Sequence, residues 1–221
     1  INRTVASPWA FWPDQTDSLA QRDTGWIQLY VESAQEALDS VIQCFRVAET
    51  VLVPAMVNLD AFYVSHAMEP VDVPAPADVD AYLPPFAPAQ RLDPTVGSSW
   101  GNVVSQDMFY RHRQALQEAM ERVPRLLAQA DGEWQQRFGR GWGVVERYRC
   151  DGARAVIVTM GSMAGTAREA VDAMRDAGEP VGLLRLRLFR PFPAAALRAA
   201  LDGVHDAVVL DRNHSPGVGG I

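Results

Sequence analysis

AVIVTMGSMAGTAREAVDAMRDAGEPVGLLRLRLF, residues 155–189, is the stretch whose reading decides the fold. Residues 155–160 are apolar and rich in β-branched side chains, which predicts a buried strand. Residues 162–177 follow as a helix that closes at Gly178, because glycine takes the left-handed C′ conformation without strain. Residues 181–189 form a second predicted strand, with Arg185 and Arg187 alternating against leucines. A helix over residues 193–201, with Pro193 tolerated in its first turn, leads to a third strand at 207–210. Strand, helix, strand, helix, strand makes a small doubly wound α/β domain. The sequence ends in Gly217-Val218-Gly219-Gly220-Ile221. Glycine-rich turns after a strand commonly open a helix, so the natural chain is expected to continue.

A second unit of the same kind lies upstream. Residues 26–31 read as a strand. At Ser33 the period changes: Ala34, Ala37, Leu38, Val41, Ile42, Phe45 and Ala48 recur at three and four, the spacing of an amphipathic helix. Ser33 with Glu36 makes a capping box, each side chain satisfying an orphan N–H of the first turn. Residues 51–57 are an apolar run interrupted by Pro54, which donates nothing to a ladder. This βαβ pattern implies a parallel sheet covered by helices. Residues 69–97 carry seven prolines and no periodicity, with Tyr82, Leu83 and Phe86 between them. They read as a long irregular arm packed against another subunit or domain. Helical spacing returns after Ser105 and is expected to kink or end at Pro124. The division is therefore residues 1–125, then a linker at 126–149, then residues 150–221.

Composition narrows the function classes. A formal net charge of −7 argues against general nucleic-acid binding, which needs a basic footprint. Cys44 and Cys150 are the only cysteines and neither belongs to a CxxC pair, so no zinc or iron–sulfur site is encoded. That usage suits a reducing, cytoplasmic compartment. The apolar runs fall well short of the ~20 residues of a membrane-spanning helix.

Several side chains invite a chemical reading. The turn 161–166 follows a strand and opens a helix, so its N–H groups suit an anion. It lacks the dinucleotide fingerprint and the P-loop lysine, and a tight turn capped by Ser162 explains it equally. The run 185–193 is either a basic phosphate patch or a strand lying against another domain's acidic side. Asp60, Ser65 and His66 at a strand end suggest nucleophilic catalysis only if their geometry converges; structural bonding or a cofactor contact explains them as well. Arg3 has the planar fork that grips a carboxylate. Asn2, Asp14, Arg22 and Asp23 are candidates to support its loop, Arg22 and Asp23 also being able to neutralise one another.

Asn2-Arg3, Pro8, Trp12, Asp14, Asp17, the run from Arg22 to Gln28, Glu32, Gln35-Glu36-Ala37, Asp39, Pro54, Val57, Asp60, Phe62, Ser65, His66, Gly161-Ser162, Thr166-Ala167 and Arg190-Pro191-Phe192-Pro193 resemble the α subunit of pyruvate:ferredoxin oxidoreductases and related 2-oxoacid:ferredoxin oxidoreductases. The resemblance runs along nearly the whole chain and is weakest in the proline-rich arm. It implies a thiamine-diphosphate-enzyme pyrimidine-type domain, incomplete at its N-terminus, followed by a transketolase C-terminal-like α/β domain. It also implies oxidative decarboxylation of pyruvate or a related 2-oxoacid, with coenzyme A as acyl acceptor and ferredoxin taking the electrons. Thiamine diphosphate, Mg2+ and the iron–sulfur (4Fe–4S) clusters would be held mainly by partners: a thiamine-diphosphate-binding β subunit, a γ subunit and a ferredoxin-like subunit. Arg3 matches the arginine near the substrate carboxylate.

The family's threonine-containing substrate loop and its activating glutamate have no counterpart here, so the sequence is expected to be a piece of a longer subunit, inactive alone. Ala61 stands at the middle of the usual Asp-Gly-Phe, which places a methyl group where backbone otherwise approaches closely. Two other readings share these folds: a transketolase-like or dehydrogenase E1-type component without clusters, and a non-catalytic assembly subunit.

Overall fold

The computed structural model describes residues 1–5, 7, 8 and 10–219, so the last two residues of the glycine-rich tail lie outside it. A single helical turn, α1 (Thr16–Leu19), precedes β1 (Ile27–Val31), all five residues of which are buried. β1 is the middle strand of a three-stranded sheet. Helix α2 (Ala34–Val51) carries the chain over to β2 (Ala55–Leu59), parallel to β1 with Ile27 opposite Ala55. The Ser33 hydroxyl accepts from the Glu36 N–H at 3.2 Å, as a capping box requires. The return half differs: the Glu36 carboxylate accepts from the N–H of Glu32, at 2.9 Å, rather than from Ser33. Pro54 sits just ahead of β2, where its carbonyl accepts from Ile27 at 2.9 Å, so its missing N–H removes no ladder bond.

The arm expected to be irregular contains a helix, α3 (Pro76–Tyr82), with Pro76 in its first turn. Tyr82 is buried, donates to the Ala130 carbonyl at 3.0 Å and meets Trp134 edge-on at 5.0 Å. The arm therefore begins by packing on its own unit, whereas Phe86, Leu92, Val96 and Trp100 beyond it are exposed.

Helix α4 (Gln106–Phe138) runs through Pro124 without ending. A proline inside a helix costs about 3 kcal/mol. Its second half compensates by placing Leu127, Ala130 and Trp134 in the same apolar cluster as Ile27, Leu29 and Val47. Each large apolar side chain contributes about 1.5–3 kcal/mol when fully buried. Leu127, Ala130 and Trp134, inside the linker expected over 126–149, are thus core of the first unit, and only residues 139–144 separate α4 from the next strand. β3 (Val145–Tyr148) follows at once. Among the described residues no helix is long and apolar enough to cross a membrane.

The second sheet has the order β3-β5-β4-β7, from β4 (Ala155–Met160), β5 (Val181–Leu186) and β7 (Asp206–Val209). β4 pairs in parallel with both neighbours, and β3 lies antiparallel on β5. Helices α5 (Met163–Asp176) and α6 (Ala194–Ala200) complete the unit.

The single strand expected over 181–189 is two. β6 (Leu188–Arg190) leaves the second sheet and pairs antiparallel with β1 of the first, Leu188 opposite Leu29. The crossing takes one residue, Arg187. Arg185 and Arg187, two apart in an extended chain, share a face, and both are fully buried. Arg185 donates from Nη1 to Glu36 at 2.7 Å and from Nε to Glu146 at 2.8 Å. Arg187 donates to Ser40 at 2.8 Å, to Gln43 at 2.6 Å and to the Gly143 carbonyl at 3.0 Å. Its Nε stands 3.1 Å from the second Glu36 oxygen. Arg168 of α5 bridges Glu32 and Glu146 at 2.7 Å each. Burial opposes the charge of Arg185, but Glu36, Glu32 and Glu146 outweigh it and hold its pKa above the ordinary value. Of the two readings of this run, the acidic neighbouring face is the one present.

Removing one partner from a buried ion pair leaves an uncompensated charge. Glu36→Leu takes a carboxylate from both arginines and is expected to destabilise the chain by about 3–5 kcal/mol, read as the shift of the urea midpoint. Burial alone would raise the Glu146 carboxyl, yet Arg185 and Arg168 hold it below its ordinary value. Such a carboxylate stabilises the fold above its unfolded pKa, and the contribution is lost as pH falls through the folded one. The urea midpoint of the wild type should exceed that of Glu146→Gln at pH 7, with the gap closing below about pH 4.

Candidate functional site

The carboxyl ends of β2, β4 and β7 converge on one seam, the position where parallel α/β sheets bind ligands. Asp60, the residue after β2, is almost wholly buried there. One of its oxygens accepts from Gln15 Nε2 at 2.9 Å. The other accepts from the Ser162 N–H at 2.8 Å, where α5 begins, and from the Arg212 guanidinium. The anion at this helix start is therefore the protein's own carboxylate. Ser162 is not the side-chain cap expected from sequence; its backbone is already helical and its N–H is the group used. Gly161 has φ +67°, and a Cβ there would lie 2.8 Å from Asp60 Oδ2 and 2.9 Å from Gln15 Nε2. Gln15 is tied in turn to Asn213, its N–H donating to Oδ1 at 2.6 Å.

The N-terminal residues enter this seam through an isolated bridge. Asn2 bridges Asp60 in parallel: its N–H donates to Leu59 at 2.7 Å, and its carbonyl accepts from Ala61 at 3.1 Å. The buried Asn2 amide donates to Ser18 at 2.8 Å. The Arg3 N–H donates to Asp17 at 2.9 Å, while Asp14 accepts from the Thr16 N–H at 2.9 Å just ahead of α1. Ser18 also meets the Tyr30 hydroxyl at 2.8 Å. Burial pushes that phenol well above its ordinary pKa, so it stays neutral and structural.

After Asp60 the chain turns sharply. Val64 and Ser65 both donate to the Asp60 carbonyl, and Phe62 takes φ +63°, a conformation rare outside glycine. The Ser65 hydroxyl accepts from the Phe62 N–H at 3.1 Å and lies 2.8 Å from His66 Nδ1. The His66 ring stacks on Phe62 at 4.3 Å, Phe11 meets it edge-on at 4.8 Å, and the Arg3 guanidinium lies 4.9 Å from its centre.

The fold thus gathers Arg3, Asn2, Asp14, Asp60, Ser65 and His66. Arg22 and Asp23 lie elsewhere, in a groove of about 500 Å³ shared with Arg113, Leu116 and Phe192. Gln15, Arg212 and Asn213 escaped the sequence reading because they come from opposite ends of the chain. Phe62 had a signal, its place in a matched motif, but no role. The cluster offers a cation and two stacked rings at a turn, which suits a small carboxylate beside an aromatic wall. Among the described residues no group of three or more His, Cys, Asp or Glu could hold a metal.

Gly161→Ala should cost at least about 1–2 kcal/mol from its left-handed backbone alone. It should also displace Asp60 from Ser162. The check is the urea midpoint, together with faster amide exchange at Ser162.

The family described as pyruvate flavodoxin/ferredoxin oxidoreductase, thiamine diP-bdg, matches residues 1–131. Pyruvate:ferredoxin oxidoreductase core domain II matches residues 153–221. Pyruvate synthase subunit PorA of Methanothermobacter thermautotrophicus is 46% identical over 221 residues, covering 99% of this chain and 58% of that protein. Ketoisovalerate oxidoreductase subunit VorA of Pyrococcus abyssi is 42% identical over 223 residues, covering 100% of this chain and 56% of that protein. The chain therefore spans little more than half the length of these relatives. A 2-oxoglutarate:ferredoxin oxidoreductase from Magnetococcus marinus, solved with 2-oxoglutarate, coenzyme A and succinyl-CoA bound, shares the fold at a TM-score of 0.63. It is 16% identical, and the match covers 96% of this chain and 40% of that one.

Proposed function

The chain belongs to the pyruvate flavodoxin/ferredoxin oxidoreductase family, and from that premise we propose that it serves as part of the α subunit of a 2-oxoacid:ferredoxin oxidoreductase. In this reading the first unit, through α4, is the pyrimidine-type domain of a thiamine-diphosphate enzyme, and the unit from β3 onward is its transketolase C-terminal-like companion. The working enzyme is a cytoplasmic complex with a thiamine-diphosphate-binding β subunit, a γ subunit and a ferredoxin-like subunit, passing electrons to external ferredoxin and the acyl group to coenzyme A. Both Mg2+ and the iron–sulfur clusters belong in this reading to partners, in keeping with the lack, among the described residues, of any group of three or more His, Cys, Asp or Glu that could hold a metal ion. Thiamine diphosphate, when bound, supplies the carbon nucleophile and electron sink for decarboxylation.

The observation that carries the proposal is the position of Arg3 at the carboxyl end of β2, beside the Asp60–His66 turn and on the seam between the sheets. Arg3 receives the carboxylate of the 2-oxoacid through its planar fork. Its grip is partial: the carboxylate must leave as neutral carbon dioxide, and a bond stronger in the ground state than in the transition state would slow that step. Asn2 and Asp17 fix the Arg3 backbone, and Asp60 holds the turn opposite.

Arg3→Ala in the reconstituted complex should lower kcat/KM by about 2–4 kcal/mol, the order of a lost charge-assisted partner. Arg3→Lys keeps the charge without the fork and should raise KM more than it lowers kcat. Turnover is measured with a viologen acceptor over pyruvate, 2-oxoisovalerate and 2-oxoglutarate. Wild-type kcat/KM for Arg3→Ala on every accepted oxoacid overturns the assignment.

A further inference from the structure

We infer that Phe62 is the positioning residue for Arg3, holding its guanidinium in the plane that meets the substrate carboxylate; this rests on the reading of Arg3 given above. An aromatic ring has two faces and an edge. The His66 imidazole, inclined by 22° at 4.3 Å, takes one face of Phe62. The Arg3 guanidinium also lies over the ring, 4.9 Å from its centre, where the ring quadrupole attracts a cation. The ring of Phe11 stands perpendicular to Phe62, at 89°. Three side chains thus pack on the Phe62 ring, which restricts its rotation.

The backbone makes the same point. Phe62 adopts φ +63°, where a bulky side chain is strained. Ser65 secures it by accepting the Phe62 N–H, and Ser65 is held against His66. The turn is anchored through Asp60 to Gln15, Ser162 and Arg212, drawn from both units. Arginine has a long stem with much rotamer freedom to lose on binding. A flat partner at one face restricts the guanidinium before substrate arrives and lowers that cost. The side chain acts on binding rather than on bond breaking, which separates it in kinetics from a catalytic group.

The test is steady-state turnover of the complete complex with pyruvate varied, coenzyme A saturating and a viologen acceptor. Phe62→Leu and Phe62→Met remove the ring face but keep apolar bulk. Either should raise KM about three- to tenfold with kcat within twofold of wild type, and Phe62→Tyr should restore KM. In an Arg3→Ala background, Phe62→Leu should add no further change in KM, since residues that act as one unit are not additive. An unchanged KM in Phe62→Leu, or a change that persists undiminished in the Arg3→Ala background, overturns the inference while leaving Arg3 as the substrate contact. Wild-type kinetics for Arg3→Ala overturn both. Should neither apolar variant assemble, a KM for Phe62→Tyr raised as far as that of Arg3→Ala overturns it, and a wild-type KM with retained assembly supports it.

Discussion

A fully buried pair of arginines at the point where one strand becomes two is the constraint on which this architecture depends. β5 belongs to the second sheet and β6 to the first, and Arg187 alone lies between them. With so short a crossing the two sheets have no freedom to drift apart. Glu36, held in the first turn of α2, faces both guanidinium groups. Glu146 and Arg168 extend the network through the second unit to Glu32. A buried ion network gains little over an apolar core, because desolvation offsets much of the attraction. Its effect lies in directionality. Leucines at 185 and 187 would tolerate several registers, whereas these arginines meet their carboxylates in one.

A second polar seam works on the same logic at the other end of the sheets. Asp60 takes donors from the N-terminal segment, the start of α5 and the loop after β7. The electropositive helix start, a place suited to an external anion, is thereby filled from within, and glycine at 161 is the residue that leaves room for it. The consequence reaches the candidate site. Asp60 is held by donors on both carboxylate oxygens and by Val64 and Ser65 at its carbonyl, and the turn so anchored presents Phe62 and His66 beside Arg3.

Much of the fold could be read from local pattern. The βαβ unit, the helix started by Ser33 and ended near Leu52, and the strand–helix–strand run after Ala155 stand close to where periodicity placed them. The misreadings share one cause, tertiary burial overriding a local signal. Pro124 marks a helix end in isolation, but Leu127 and Trp134 gain enough from the first core to carry the helix through. The proline-rich arm looks irregular, yet Pro76 suits a helix start and Tyr82 finds a partner on α4. Strand β3 hides in polar residues because it is an edge strand whose charges meet Arg168 and Arg185.

The site divides in the same way. Arg3, Asp60, Ser65 and His66 could be picked out by residue type and motif, since chemistry restricts which side chains bind a carboxylate or line a turn. Their convergence could not, because Arg212 and Asn213 reach Asp60 and Gln15 across most of the chain's length, and no local spacing encodes such a contact. Arg22 and Asp23 show the converse, near in sequence to Asp17 and Ser18 yet turned into another groove. What the sequence determined by itself was the set of elements, through periodicity, caps and turns, which are forces acting over a few residues. What only the tertiary structure decided was the split of one strand between two sheets, the partners of the buried arginines and the ring that faces Arg3, because each depends on burial, and burial exists only once distant segments meet.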